Sequence, residues 1–204
     1  MTSSRRFAIK KVAACALLAS AGGLLTACQP DKPQFKAIDI TGADYAQGFQ
    51  LTDFNGQPRS LADYKGKVVV VFFGFTQCPD VCPTTMNEMA QVKKLLGTDG
   101  DKLQVVFISI DPERDTPQML KDYLSSDGFP DGVIGLTGTP EQVAKAAKAY
   151  RAFYQKVGEG EGYTMNHGLT VYLMGPDGKF RSAVAHDLGP SRTATLIENA
   201  MEKG

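Results

Sequence analysis

No stretch of this 204-residue chain approaches the ~20 consecutive apolar residues that a helix needs to cross a bilayer. Its longest apolar runs, Val12–Ala19 and Val68–Phe73, are far shorter. Net charge is missing too: 22 basic residues balance 22 acidic ones, which excludes the broad basic surface that nucleic acids need. No segment repeats at a fixed period, which excludes a solenoid or a repeat-built propeller. Histidine is scarce, with His167 and His186 as the whole supply, and the only cysteines are Cys15, Cys28, Cys78 and Cys82. Chemistry that uses imidazole or thiol is therefore confined to a few positions. What is present is a length suited to one domain with a sizeable core.

Residues 1–27 read as an export signal. Arg5, Arg6, Lys10 and Lys11 form its basic region, Val12–Ala19 its apolar region, and Leu25-Thr26-Ala27-Cys28 its end. That tetrapeptide resembles the lipobox of bacterial lipoproteins, which implies cleavage before Cys28 and a lipid on its thiol. Ser4–Lys10 also resembles a twin-arginine signal, with Ala8 where that pattern prefers an aromatic residue, so two export routes stay open. Without the signal, 18 basic residues face 22 acidic ones. Residues 28–47, with Pro30, Pro33 and Gly42, read as a lipidated anchor and tether, and residues 48–204 as the folded domain. The expectation is an exported bacterial lipoprotein, membrane-anchored and facing the periplasm or extracytoplasmic side. Cys15 then leaves with the signal and Cys28 is occupied. Cys78 and Cys82 remain in an oxidising compartment, where they must be disulfide-bonded, metal-bound or kept reduced by a partner.

The folded part alternates strand and helix patterns. Phe49–Asp53 and Gln57–Ser60, joined by Asn55-Gly56, predict an N-terminal hairpin. Val68–Phe73 has no polar alternation, which predicts a strand buried on both faces. Pro83 suits the first turn of a helix that continues through Leu96. A second buried strand is expected at Leu103–Ile110, then a helix capped by Thr116 with Pro117 in its first position. A short strand at Val133–Leu136, a helix from Thr139 to Tyr150 and a Gly/Glu loop at Gly158–Gly162 follow. Leu169–Met174 and Lys179–Val184 flank Pro176-Asp177-Gly178 as a hairpin, and a helix from about Ser191 closes the chain. Such a pattern implies an α/β domain with a mainly parallel sheet, made mixed by the terminal hairpin and flanked by helices. A dithiol at the first strand-to-helix turn points to a thioredoxin-like fold.

Cys78 and Cys82 stand four apart, so in a helical turn they share one face. Three intervening residues separate the pair from the usual disulfide-exchange motif, which has two. The pair either moves electrons or holds a metal. In thioredoxin-like enzymes a proline lies against the dithiol just before the corresponding strand; here that segment has no proline, and His167 stands where it can face the cysteines. Two thiolates and one imidazole suit copper, because thiolates favour Cu(I) and imidazole binds either oxidation state. His186 has no cysteine context and reads as a loop residue, and Met86 and Met89 as core and helix-surface residues.

Phe73–Pro83, Ser109–Pro117, and His167 with Leu169–Gly178 together resemble three blocks of the SCO/SenC proteins, over about residues 45–200. The resemblance implies a membrane-tethered, thioredoxin-like copper chaperone that helps assemble the dinuclear copper centre of cytochrome c oxidase. It carries the metal ligands onto Cys78, Cys82 and His167, with one copper ion, Cu(I) or Cu(II), per chain. The implied partners are the copper-site subunit of the oxidase, another copper chaperone or thioredoxin-like reductant, and the membrane through the Cys28 lipid, with no nucleic acid. Cys78 and Cys82 also admit a thiol–disulfide oxidoreductase that reduces the oxidase cysteines, or a peroxide-reducing or redox-signalling protein. Gln77 replaces a histidine found in many members. Asn166 stands where aspartate is frequent and Gly168 where a hydroxyl residue is common, which puts the tuning of the imidazole in question. Asp111, Arg114 and Asp115 of the second block are expected to be a strand end, a surface ion pair and a helix-start charge. Asp80, between the cysteines, is expected to be exposed and able to meet a partner.

Overall fold

The computed structural model describes residues 46–202; the signal, Cys28 and nearly all of the tether lie outside the described residues. The predicted hairpin forms from β1 (Gln50–Asp53) and β2 (Pro58–Ser60). Its turn is organised by the buried Asp53 carboxylate, which accepts from the Asn55 and Gln57 amides at 2.8 and 2.9 Å and from Arg59 Nε at 2.8 Å. The order continues with β3 (Val68–Gly74), α1 (Val81–Leu96), β4 (Leu103–Ser109), α2 (Pro117–Leu124), β5 (Ile134–Thr137), α3 (Pro140–Tyr150), β6 (Tyr154–Val157), β7 (Thr164–His167), β8 (Thr170–Met174), β9 (Phe180–Ala185) and α4 (Pro190–Glu202).

Seven strands make one mixed sheet in the order β2-β1-β5-β4-β3-β8-β9. β3, β4 and β5 run parallel, but the expectation of a mainly parallel sheet needs correcting. The first hairpin joins the β5 edge antiparallel and the last joins β3 antiparallel, so antiparallel pairings outnumber parallel ones. Every residue of β3 is buried. The strand period of two sends Val69, Val71 and Phe73 to one face, against Val143, Ala146 and Tyr150 of α3. Val68, Val70 and Phe72 go to the other, against Met86, Met89 and Val92 of α1, Leu120 of α2 and Ile197 of α4. Full burial of each such side chain contributes roughly 1.5–3 kcal/mol. The methionines are thus both core residues. Thr116 caps α2 by accepting from Met119 N at 3.2 Å, and Thr139 caps α3 in a reciprocal box with Gln142.

A second, two-stranded sheet is the element that the sequence pattern did not predict. β6 and β7 pair antiparallel across a single 3-10 turn at Gly160–Gly162, with Tyr154 opposite His167 and Lys156 opposite Met165. The segment expected to be plain loop is therefore the tip of a hairpin, and His167 is the last residue of its second strand. β6 is polar and largely exposed, so it lacks the apolar alternation that marks a strand.

Candidate metal centre

Parallel pairing places Gly74 opposite Ser109 at the same end of the sheet. The β3–α1 and β4–α2 loops consequently leave side by side, at the carboxyl ends of parallel strands where ligand sites form in open α/β sheets. β8 runs antiparallel to β3, with Val171 opposite Phe72, so the chain enters β8 at this same end. Cys78, Cys82 and His167 thereby meet although 89 positions separate the first from the last.

The sulfurs lie 4.0 Å (Cys78) and 3.7 Å (Cys82) from His167 Nε2. All three donor atoms fall within 4.8 Å of one another, the only such group among the described residues to be found with three His, Cys, Asp or Glu donors. His167 Nδ1 lies 2.9 Å from the Gly168 carbonyl. A carbonyl only accepts, so Nδ1 carries the proton and the Nε2 lone pair faces the sulfurs. That backbone carbonyl orients the imidazole. Phe72 and Phe75 meet the imidazole edge-on, with centroids 6.0 and 5.8 Å away.

The cysteines differ. Cys82 is fully buried, whereas Cys78 is partly exposed, and neither is in a disulfide. Gly74 makes room for Cys82: a Cβ there would stand 2.7 Å from the Cys82 sulfur and 2.8 Å from the Phe107 ring. A hydrogen bond from Cys82 holds the Cys78 thiol far below its ordinary value against the opposing effect of burial, helped by the Asp80 and Cys82 amides at the start of α1. The same bond, then burial, then the charge on Cys78 push Cys82 up. The pair therefore holds one thiolate, Cys78, and one thiol, Cys82. In the reduced, metal-free protein, iodoacetamide is expected to modify Cys78 selectively. Because its pKa is lowered, the thiolate persists as pH falls, so the rate should stay nearly flat from pH 8 to 6. An unperturbed thiol slows about tenfold per unit below ~8.5, and a slope of that size, measured by mass spectrometry, would exclude the thiolate assignment.

Asp111, Arg114 and Asp115 are not the surface features that the sequence suggested. Asp115 is 1% exposed and accepts from Thr76 N at 3.1 Å, Thr76 Oγ1 at 2.6 Å and Ser109 Oγ at 2.6 Å. It ties the cysteine loop to the end of β4. Asp111, also buried, accepts from Tyr163 Oη and Arg114 Nε, both at 2.5 Å. Arg114 in turn reaches Gln77 and Tyr163 O. The available signal was the density of charge in Asp111–Asp115 just after a largely buried strand. Asp80 is exposed at the N-cap of α1, as expected, and His186 lies outside the donor group.

Fold and site define a thioredoxin-like domain whose dithiol has acquired an imidazole as third donor. Residues 38–202 match the SCO1/SenC family model, and the chain belongs to that family. It is 36% identical over 194 residues to the mitochondrial SCO2 homolog of Mus musculus, covering 91% of this chain and 74% of that protein. Against the SCO2-like protein of Rickettsia felis it is 34% identical over 198 residues, covering 93% and 96%. The structure of Bradyrhizobium japonicum ScoI with copper bound superposes with a TM-score of 0.68 at 42% identity, covering 76% of this chain and 98% of that one.

Proposed function

We propose that this chain is a copper chaperone that binds one copper ion through Cys78, Cys82 and His167. It delivers that ion to, or prepares, the dinuclear copper centre of cytochrome c oxidase during assembly. The observation that carries this reading is the convergence of two sulfurs and a bare Nε2, three donors of the softness copper prefers. Copper bound in the similar ScoI supports it. Cu(I) is satisfied by the two sulfurs, and its binding displaces the Cys82 proton to solvent; Cu(II) engages His167 as well. Exposure of Cys78 gives an acceptor thiolate a route to the ion, so transfer proceeds by stepwise ligand exchange. Lipid on Cys28 would hold the domain at the extracytoplasmic face of a membrane; no helix among the described residues is long and apolar enough to cross one.

The thiolate–thiol asymmetry favours a second reading, reduction of a disulfide in the oxidase subunit. Cys78 thiolate attacks one substrate sulfur and breaks the disulfide; Cys82, deprotonated, then displaces the second substrate thiolate. The substrate gains two electrons from the dithiol and two protons, one from Cys82 and one from solvent, and the chain ends as a Cys78–Cys82 disulfide. One experiment separates the two. The reduced 29–204 chain is titrated anaerobically with Cu(I) and Cu(II), then mixed with a copper-free oxidase copper-site fragment whose cysteines are reduced or oxidised. Unit stoichiometry and copper transfer to the reduced fragment are expected. Reduction of the oxidised fragment by a chain that binds no copper would overturn the chaperone reading.

A further inference from the structure

The ligands sit on two separate pieces of backbone. Cys78 and Cys82 belong to the β3–α1 junction, whereas His167 ends a hairpin that shares no ladder with the main sheet. Met165 is buried in the core beneath that hairpin, but apolar packing is non-directional and leaves the hairpin's angle open. Directional contacts to the tip of the hairpin come from the β4–α2 loop, chiefly from Arg114.

The Arg114 side chain is 16% exposed. Its Nε donates to Asp111 Oδ2, and Nη1 donates to Tyr163 O at 2.8 Å and to Gln77 Oε1 at 3.1 Å. The guanidinium lies 3.7 Å from the centroid of the Tyr163 ring, whose hydroxyl returns to Asp111 Oδ1. Lys156 of the opposite strand stands 3.9 Å from the same ring and pairs with Glu113 at 2.7 Å. One planar cation thus holds the residue just before Cys78 and the residue just before β7, the strand that leads to His167. A guanidinium does this because its donors diverge from a rigid fork while its face stacks on an aromatic ring; an ammonium cannot do both.

We infer that Arg114 is a positioning residue: it locks the His167 hairpin against the cysteine loop and so sets the reach of the imidazole to the two sulfurs. Gln77 is part of this lock, which gives the residue that replaces a histidine a structural task. Releasing the lock frees the third donor and leaves the dithiol in place. The consequence for copper rests on the reading proposed above; the mechanical link does not.

The test compares the wild type with Arg114→Lys, which keeps the charge but loses the fork, and with Tyr163→Phe, which loses only the bond to Asp111. Amide deuterium exchange of the metal-free proteins is expected to quicken at Gln155 and Asn166, a hydrogen-bonded pair of the β6–β7 ladder, in Arg114→Lys, less so in Tyr163→Phe, with β3 and β4 unchanged. Cu(II) affinity should fall about 10-fold, at the lower end of the roughly 10–100-fold cost of losing an outer-shell partner. The thiolate-to-copper absorption should shift with it, while Cu(I) affinity holds. Wild-type exchange and an unaltered Cu(II) spectrum in Arg114→Lys would overturn the inference. So would faster exchange spread equally over β3 and β4, since that marks general destabilisation. A wild type that binds neither Cu(I) nor Cu(II) refutes the copper reading, and the exchange data then decide the lock alone.

Discussion

Cys82→Ser is expected to eliminate stable copper binding, whereas His167→Ala should spare Cu(I) and cripple Cu(II). Cys82 is wholly buried with its sulfur facing His167 Nε2. A serine hydroxyl there is a hard donor that does not ionise, so Cu(I) retains a single thiolate. Loss of His167 leaves both sulfurs, which suffice for Cu(I), but removes the nitrogen that Cu(II) requires. The fall in Cu(II) affinity should exceed ~100-fold, above the cost of losing an outer-shell partner. Folding should change little, because His167 is only partly buried and its ring meets Phe72 and Phe75 edge-on. Competition with a Cu(I) chelator, Cu(II) spectroscopy and thermal melts check each part. An unaltered copper–thiolate spectrum in His167→Ala would exclude the three-donor site.

Asp115→Ala should have the largest effect on stability of any change near the site. It strands the Thr76 amide and hydroxyl in a partly buried position and the Ser109 hydroxyl in a buried one. At about 1–3 kcal/mol for an unsatisfied buried group, and less for the two partly buried Thr76 groups, a total loss of about 3 kcal/mol is expected. For a domain of this size that lowers Tm by roughly 6–12 °C. Asp115→Asn retains the shape and one acceptor and should lose less. Burial raises the Asp115 pKa, against the hydrogen bonds that lower it. The contribution linked to its protonation is therefore complete below the unfolded value of about 3.9 and is lost as pH rises through the folded one. The stability gap between wild type and Asp115→Asn should accordingly narrow as pH increases from acid towards neutrality. Melts of both variants across that range test the magnitude and the sign; a gap that widens would show that the ionised carboxylate is the stabilising form.

Some of this was legible in order of residues alone. The apolar run of β3, the Asn55-Gly56 turn, Thr116-Pro117 as a helix start and the helix expected from Thr139 are local statements, and local geometry obeyed them. The β6–β7 hairpin was not legible. Tyr154, Gln155, Lys156 and Val157 are mostly exposed, so nothing in their periodicity separates strand from loop. Asp111, Arg114 and Asp115 were misread for another reason. Charged residues after a strand are normally solvated, and only the neighbouring loop, with Thr76 and Gln77 nearly 40 positions earlier, makes their burial tolerable by supplying partners.

The sequence by itself determined the chemistry: two thiols four apart at a strand-to-helix turn, one histidine beside a strand, and no competing donor set. Tertiary structure decided what those donors are. Parallel pairing of β3 with β4 and antiparallel return of β8 brought them to one end of the sheet. The hydrogen bond between the two sulfurs, with burial second, then made one cysteine a thiol and left the other a thiolate, and the Gly168 carbonyl turned Nε2 towards both. Residue identity fixes which atoms can bind a soft metal, but distance, burial and tautomer belong to the folded chain, because each depends on neighbours remote in sequence.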